Sequence, residues 1–306
     1  MNGFNRFGAD FNLKSFKNSV FSWFFGMLLT AAVLFFASCE EEPPAIRSNE
    51  KPLLDTTYTS APPSPQTKKV LLIDITGVRC SNCPRAAETA KNIANSNSGR
   101  VEVLAVYPHI GSGVLTNPWD GNDTLVLPEA IDLLVAKPTT LPRGMVDNIE
   151  FNGNKIIDEL NWSTAVSNQI TKTTPVNLEI VSQWLSSEDK ARIQIKAVAN
   201  QTTTRKLSWV IGIMEDKIVG KQSDSRLSGG IAEEYEFEHV LRQVITSTSG
   251  DIIAEQGFTS PGQTREKHYF VPRKSKWKKE NLKCIVWVMD ADTKEVLTVA
   301  STKLVP

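Results

Sequence analysis

The stretch KKVLLIDITGVRCSNCPRAAETAKNIANSNSG, residues 68–99, decides the fold that the sequence predicts. Its first part, 68–77, is a short apolar run rich in Val, Leu and Ile between lysines and a glycine, which is typical of a buried strand. Its last part, 84–99, has helix-forming Ala, Glu and Lys, a proline in the first turn and a glycine as a stop. The sequence therefore predicts a strand and a helix, joined by a turn that carries Cys80 and Cys83.

The runs that follow have the element order of a known fold. A strand, a helix, a hairpin around an Asn-Gly turn and a last helix are predicted at 100–109, 127–137, 142–157 and 161–172. Strand, cysteine pair, helix, strand, helix, hairpin and helix is the order of the thioredoxin fold. We therefore expect a thioredoxin-like α/β domain over residues 68–173.

Proteins of this fold carry a cis-proline just before the hairpin, facing the cysteine pair. Pro142 stands at the corresponding position here. A cis peptide bond before proline is a minority state that its surroundings must hold in place. The resemblance to thioredoxin-like proteins implies that Pro142 shapes the site and that Arg143, beside it, binds an acidic target strand.

Redox chemistry at the pair requires a thiolate at Cys80 and a resolving thiol at Cys83, one helical turn further on. The N-terminus of a helix favours that anion, and Arg79 adds to the effect if its side chain points toward the pair. Asp74, in the middle of the strand, is the candidate proton acceptor for Cys83; the alternative is that it faces outward. Two interpretations stay open, a working redox pair and a static disulfide that holds the turn.

Neither a metal nor a cofactor is expected. A zinc site needs about four ligands, usually two such cysteine pairs or one pair with histidines. The chain has three histidines, His109, His239 and His268, and none of them is at metal-ligand spacing.

The N-terminal residues predict a targeting segment. A basic start precedes the uncharged apolar run VFSWFFGMLLTAAVLFF, 20–36, and FASC places small residues directly before Cys39. This arrangement resembles the lipobox of bacterial lipoproteins, so we expect a signal peptide over 1–38 and a membrane anchor through lipid on Cys39. The alternative is an uncleaved N-terminal anchor. Residues 39–67 are rich in Pro, Ser, Thr and Glu, and they predict a disordered tether.

The pattern changes in the second half of the chain. From residue 174 onward about seven short runs, several of them alternating apolar with polar residues, are separated by turn residues. We therefore expect an all-β immunoglobulin-like sandwich domain over 174–306, following the thioredoxin-like domain. Cys284 lies in a strongly apolar run and is expected to be a buried thiol.

Charge argues against a nucleic-acid partner, because 34 basic residues balance 34 acidic ones. The basic run PRKSKWKKE, 272–280, is expected to form a solvated hairpin end. The alternative is that this run contacts anionic lipid headgroups or surface polysaccharide. In FEHVLRQV, alternation places His239 on the apolar face, which favours a satisfied core histidine over a catalytic one.

Several of these features together resemble one family. The lipobox, the Pro-rich tether, TGVRCSNCP at 76–84 and EFEHVLRQVI at 236–245 are similar to the bacterial outer-membrane lipoproteins named after an outer membrane protein of about 28 kDa. The resemblance implies a lipid-anchored location in the outer membrane, on its periplasmic face or at the cell surface. It implies no firmly established activity.

The sequence therefore supports two functional hypotheses. In the first, the thioredoxin-like domain exchanges disulfides with a protein partner, with Cys80 as nucleophile, Cys83 as resolving thiol and Pro142 shaping the site. In the second, the protein is a non-catalytic surface binding or structural lipoprotein whose disulfide is a staple. Whether the protein is a thiol-disulfide oxidoreductase stays open, because function belongs to sites rather than to folds.

Overall fold

The computed structural model describes residues 55–305, which belong to one compact unit. The signal peptide expected over 1–38, the lipid on Cys39 and the first part of the expected tether lie outside the described residues. Within them the chain is mostly β-strand, with two α-helices, α1 (Cys83–Ser96) and α2 (Trp162–Ile170). In chain order the described strands are β1 (Asp55–Thr59), β2 (Val70–Ile75), β3 (Val101–Val106), β4 (Arg143–Val146), β5 (Val176–Leu185), β6 (Lys190–Ala199), β7 (Leu207–Glu215), β8 (Ile218–Ser223), β9 (Ile231–Phe237), β10 (Val240–Val244), β11 (Asp251–Ala254), β12 (Gln263–Pro272), β13 (Leu282–Asp290) and β14 (Val296–Lys303).

These strands form three sheets. An eight-stranded sheet has the order β14-β13-β7-β10-β3-β2-β4, with β11 paired to β7. A four-stranded sheet has the order β1-β12-β6-β5, and β8 and β9 form a separate two-stranded hairpin. In the large sheet β2 and β3 are parallel, whereas β4 is antiparallel to β2.

The main core lies between the four-stranded sheet and one end of the large sheet. Alternate residues of β6, such as Ile193 and Ile195, face Trp209 and Ile211 of β7 and Val286 of β13. Each of these side chains is fully buried. This alternation is the period-2 pattern that the second half of the sequence predicts, and the sandwich-like layering follows from it.

The other end of the large sheet carries the two helices. Val70, Leu72 and Val103 on β2 and β3 pack against Ala86 of α1 and Trp162 of α2. The opposite face of the same strands packs into a second core. Because β2 is buried on both faces, its sequence is a continuous apolar run rather than an alternating one.

The expected fold class is wrong. The sequence predicts a thioredoxin-like α/β domain followed by an immunoglobulin-like sandwich, but the structure is mostly β and its largest sheet contains strands from both halves of the chain. β10 lies directly between β3 and β7, with Val240 opposite Ala105. The physical reason is the edge of β3. Alone with β2 and β4 it would expose unpaired backbone groups, and β10 satisfies them.

Local predictions differ in their outcome. The strand at 68–77 and the helix at 84–99 are confirmed as β2 and α1. The helix expected at 127–137 is wrong, because only the 3₁₀ turn Pro128–Leu133 forms there. Part of the expected disordered tether is ordered instead, since β1 pairs along β12 with Tyr58 opposite Thr264.

Candidate functional site

The cysteine pair lies at the junction between β2 and α1. Cys80 and Cys83 form a disulfide with their Cα atoms 5.4 Å apart. The Cys83 N–H donates to the Cys80 carbonyl, and the Cys80 N–H donates to the Gly77 carbonyl, so the turn closes on itself at the start of α1. The exposed fractions of Cys80 and Cys83 are 4% and 2%, so neither sulfur lies open on the surface.

A segment from the second half of the chain covers this turn. We call residues 222–226 the cover segment; it comprises the last two residues of β8 and the first three residues of the connection to β9. The buried side-chain amide of Gln222 donates to the carbonyls of Gly77 and Cys80, at 3.2 and 3.0 Å. The Ser225 N–H donates to the Ser81 carbonyl at 2.9 Å. These bonds hold the hairpin against the cysteine turn.

A second cover is the long loop at 110–126. The Arg79 N–H donates to the Leu115 carbonyl at 2.9 Å. The Arg79 guanidinium lies over the Trp119 ring, 4.1 Å from its centre, and donates to the Pro118 carbonyl. The indole N–H of Trp119 donates to the Val78 carbonyl. In this arrangement the Arg79 side chain anchors the loop.

Pro142 and Arg143 lie at the start of β4. The Leu141–Pro142 peptide bond is cis, as expected. Arg143 pairs with Ile75, the last residue of β2, which brings it to the sheet end from which the cysteine turn departs. Its guanidinium forms an ion pair with Asp158. The role of Arg143 in binding a target strand remains a prediction.

Asp74 lies inside the protein. It sits on β2 between Ala105 of β3 and Gly144 of β4, and its exposed fraction is 2%. Its Oδ1 atom has no hydrogen-bond partner among the described residues. Burial, and secondarily the charge of Glu159, raises the pKa of Asp74 to about 8. The alternative that Asp74 faces outward is therefore wrong.

A cavity of about 510 Å³ lies between α1 and the β8–β9 hairpin. We call it the Cys83 cavity, because Cys83 is among its lining residues and Cys80 is not. Its other lining residues include Asp74, Thr76, Ala87, Tyr107, Tyr235 and His239. A buried carboxyl group and one of the two cysteines therefore line the same cavity.

Two ion pairs join α1 to the hairpin side of this cavity. Glu88 of α1 pairs with Arg226 of the cover segment at 2.8 Å, and Lys91 of α1 pairs with Glu238 at 2.8 Å. All four residues line the cavity. Because these side chains are largely exposed, each pair contributes only about 0.2–1 kcal/mol.

Aromatic side chains form part of the cavity wall. Phe237 makes edge-to-face contacts with Tyr107 and Tyr235, with ring centres 6.2 and 4.8 Å apart. Burial, followed by the charge of Asp74, raises the pKa of Tyr107 well above its ordinary value. The same two causes raise the pKa of Tyr235 to about 12. Both phenols are therefore neutral hydrogen-bonding groups at physiological pH.

The structure also gives the positions of His239 and Cys284. His239 is not in a continuous strand, because it separates β9 from β10 with a φ of 58° and lines the Cys83 cavity. Burial lowers its pKa. Cys284 is fully buried in β13 as expected, and burial raises the pKa of its thiol.

Several side chains of the basic run at 272–280 make contacts within the molecule. Arg273 pairs with Asp189 and Lys276 pairs with Asp123. Trp277 is buried. A contact of this run with lipid headgroups or polysaccharide remains a prediction. Within residues 55–305 no group of three or more His, Cys, Asp or Glu side chains is arranged to hold a metal ion.

The cover segment is the part of the site that sequence reasoning missed. Gln222 and Ser225 lie about 140 residues after the cysteines, and no motif marks them. The only available signal was weak: Gln222 is a polar residue in a short run of strand-like pattern.

The fold and the site define a class of mostly β protein with a buried Cys-x-x-Cys disulfide beside a cavity. The family model of outer membrane protein Omp28 matches residues 135–306, more than half of the chain, and the chain belongs to this family. The match does not include Cys80 and Cys83. Family membership confirms the predicted outer-membrane location of a lipid-anchored protein. In the part of the chain that the structure describes, no helix has the length and apolar character needed to span a membrane.

Solved structures show which fold the chain shares. HBP35 of Porphyromonas gingivalis is 15% identical, with a TM-score of 0.59 over 79% of this chain and 77% of that one. A protein from Agrobacterium tumefaciens is 12% identical, with a TM-score of 0.46 over 79% and 96%. A domain of the outer membrane lipoprotein Omp28 from Porphyromonas gingivalis is 18% identical, with a TM-score of 0.28 over 44% and 90%. The likeness to the first of these shows a common fold. A search of curated proteins found no match.

Proposed function

We propose that this outer-membrane lipoprotein exchanges disulfides with protein partners through Cys80 and Cys83. The observation that carries the proposal is the position of Asp74. A buried carboxyl group without a partner for its Oδ1 atom lines the same cavity as Cys83. Such a group destabilises the folded protein, and perturbed carboxyl groups in cavities are frequent at functional sites.

The proposed reaction uses each group in one role. In the reduced form the Cys80 thiolate, at the N-terminal end of α1, attacks a partner disulfide and forms a mixed disulfide with one partner sulfur. The other partner sulfur leaves as a thiolate. Asp74 in its ionised form, which its pKa of about 8 makes the minor form at pH 7, then takes the proton of Cys83, and the Cys83 thiolate attacks the Cys80 sulfur. This second step forms the Cys80–Cys83 disulfide and releases the partner as a dithiol.

Access for a protein partner requires the cover segment to move. The cover segment is held by hydrogen bonds from Gln222, Ser223 and Ser225 to the cysteine turn and by the exposed ion pair of Arg226 with Glu88. Hydrogen bonds of this kind contribute about 0.5–1.5 kcal/mol each. Opening of the cover segment, with Phe237 of β9 left packed against Tyr107, therefore needs a few kcal/mol, which is within the range of ordinary local unfolding.

The reduction potential of the pair tests the proposal. The full chain, purified in detergent, is equilibrated with glutathione buffers, and the disulfide fraction is read by alkylation and peptide mass. A potential between about −120 and −270 mV is expected for an exchange protein. A potential below about −300 mV contradicts the proposal, because it marks a structural disulfide.

A trapping experiment in cells identifies the partner class. With Cys83→Ser, a mixed disulfide at Cys80 cannot be resolved, so partner proteins are expected to stay attached. Cys80→Ser is the matched control, because it removes the proposed nucleophile and leaves the other thiol. Equal capture by both variants contradicts the assignment of Cys80 as the nucleophile.

One observation favours a second function. Both cysteines are nearly fully buried, and Gln222 ties the turn to the rest of the molecule. This arrangement suits a non-catalytic surface binding or structural lipoprotein whose disulfide holds the turn. For that function, Cys80→Ala together with Cys83→Ala is expected to lower stability and leave partner binding intact.

A further inference from the structure

The two sulfurs of the disulfide have different surroundings. Cys83 lines the Cys83 cavity, and Cys80 does not. The backbone around Cys80 is covered instead, by Gln222 at the Cys80 carbonyl and by Ser225 at the Ser81 carbonyl. In the closed form that the structure shows, a reactant that enters through the cavity therefore meets Cys83.

The size of the cavity limits what can enter. Pockets for small molecules are typically about 300–1,000 Å³, and 510 Å³ lies within that range. A polypeptide strand needs an open groove, whereas here α1 and the hairpin are joined by the ion pairs of Glu88 and Lys91. The closed form accordingly suits a small molecule.

The chemistry of the wall indicates the kind of molecule. Asp74 presents a buried carboxyl oxygen without a partner, which can accept a hydrogen bond or a proton from an entering S–H group. Tyr107 and Tyr235 provide apolar ring surface. Charged side chains of both signs also line the cavity: Lys91, Arg226, Glu88, Glu236 and Glu238. A thiol attached to a small charged molecule matches these groups.

We infer that the Cys83 cavity admits a low-molecular-weight thiol that attacks the disulfide at Cys83. This inference rests on the proposed exchange function and adds an electron donor to it. The small thiol reacts at Cys83 through the cavity. The protein partner reacts at Cys80 after the cover segment has opened.

The reaction balances with two thiols. The first thiol gives its proton to the ionised form of Asp74, and its sulfur forms a bond to the Cys83 sulfur. The Cys80–Cys83 bond breaks, and its electron pair leaves on Cys80 as a thiolate. A second thiolate attacks the small-molecule sulfur of the mixed disulfide, which releases the small disulfide and the Cys83 thiolate. The departing Cys80 thiolate lies beside the N-terminal end of α1, which stabilises the anion.

The test locates the mixed disulfide. The oxidised full chain in detergent is treated with glutathione, quenched with acid and alkylated. Arg79 and Arg85 flank the pair, so trypsin releases residues 80–85 as one peptide, and fragment ions assign the glutathione to one cysteine. We expect glutathione on Cys83 and the alkyl group on Cys80. The reverse assignment overturns the inference and leaves the exchange function intact.

Single-cysteine variants provide a second measurement with a longer-lived product. Divided by the thiolate fraction of each cysteine, read from the pH profile of its rate, the rate at which glutathione disulfide modifies Cys83 in Cys80→Ser is expected to be about tenfold higher than the rate for Cys80 in Cys83→Ser. Far-UV circular dichroism verifies that both variants are folded. If either variant is unfolded, the position of glutathione in the wild-type peptide 80–85 decides the question instead. Equal rates overturn the inference. If neither glutathione nor a reducing protein dithiol reacts with the folded wild type, the exchange function fails as well.

Narrowing the cavity tests the entry route. Ala87 lines the cavity on α1, one turn after Cys83, and Ala87→Leu is expected to slow reduction by glutathione about tenfold. Reduction by the smaller thiol 2-mercaptoethanol is expected to change much less. Ala94→Leu is the matched control, because it makes the same change on the same helix outside the cavity lining. An equal effect of both variants on both thiols contradicts entry through the cavity.

Discussion

The carboxyl group of Asp74 loses its hydration in the folded protein without gaining a partner for its Oδ1 atom. Its pKa of about 8 lies well above the ordinary value near 3.8, so the folded state holds a proton that the unfolded state releases. Folding stability from this group is complete below pH 4, falls as the pH rises, and is lost once the pH passes 8.

We therefore predict that Asp74→Asn removes this pH dependence. Between pH 5 and 8 the wild type should lose roughly 1.4 kcal/mol of stability per pH unit relative to the variant. The measured quantity is the slope of the free energy of unfolding against pH, obtained by urea unfolding at several pH values. The slope is used because the new amide changes the free energy of unfolding equally at every pH. Asp132→Asn, an exposed carboxyl with the same charge change, is the control. Parallel slopes for Asp74→Asn and wild type contradict the shifted pKa.

Some of the site residues could be predicted from the sequence. An aspartate in the middle of a buried apolar run stood out, so Asp74 was predictable as a candidate residue. The direction of the Arg79 side chain was not, because only the folded loop places Trp119 beneath it. Gln222 was not predictable either, since its partners lie on a turn that is distant in sequence.

Among the elements, the β8–β9 hairpin is the one whose motion decides access to Cys80. It pairs only with itself, and its link to α1 includes the ion pairs Arg226–Glu88 and Lys91–Glu238. Exposed pairs are weak and are screened by salt. The link of the hairpin to α1 is thus weak, whereas Phe237 of β9 holds the hairpin through its buried contact with Tyr107.

We predict that Glu88→Gln together with Glu238→Gln opens this cover. Loss of both pairs should raise the rate of reduction by a protein dithiol roughly 2- to 10-fold at low salt, with a smaller effect at high salt. Glu233→Gln is the matched control, because Glu233 pairs with Lys221 within the hairpin and not with α1. A rate that the double substitution leaves unchanged contradicts hairpin opening as the access step.

Element prediction succeeded where the pattern was local. The strand before the cysteines and the helix after them follow from composition and capping alone. The helix expected at 127–137 did not form, because only Pro128–Leu133 turns and the chain then extends at Leu134. The strand expected through His239 is broken there, since its N–H donates to Asp216 and its carbonyl accepts from Ala105.

For the whole molecule, the decisive contact is the pairing of β3 with β10. More than 130 residues separate Val240 from Ala105, so no local pattern reveals this pairing. The sequence contains a plausible α/β segment and a plausible β segment. The sequence does not indicate that strands from both segments form one sheet.

We predict that residues 68–173 do not fold alone. Without β10 the backbone edge of β3 stays unpaired, and without β13 and β14 the apolar face of β2 loses its cover. The isolated segment should show no cooperative thermal unfolding by circular dichroism, whereas residues 53–306, which form one compact unit, should show it. A cooperative transition in the short segment contradicts this prediction.

A buried lysine also joins the two halves of the chain. The Lys68 ammonium lies 2.9 Å from the Asp147 carboxylate and donates to the carbonyls of Val296 and Leu297 on β14. Asp147 accepts in turn from the Leu71 N–H. Burial raises the pKa of Asp147 to about 6, although Lys68 opposes the shift.

We predict that Lys68→Met destabilises the protein by about 3–5 kcal/mol at pH 8, because it leaves Asp147 buried, charged and unpaired. The loss should shrink as the pH falls from 8 to 5, because Lys68 lowers the pKa of Asp147 and the carboxyl of the variant therefore takes up a proton more readily. Urea unfolding at pH 5 and pH 8 measures both values. Lys68→Met with Asp147→Asn is the matched control, and it should recover much of the loss at pH 8. A loss that is independent of pH and is not reduced in the double variant would mean that Lys68 acts through its bonds to β14 alone.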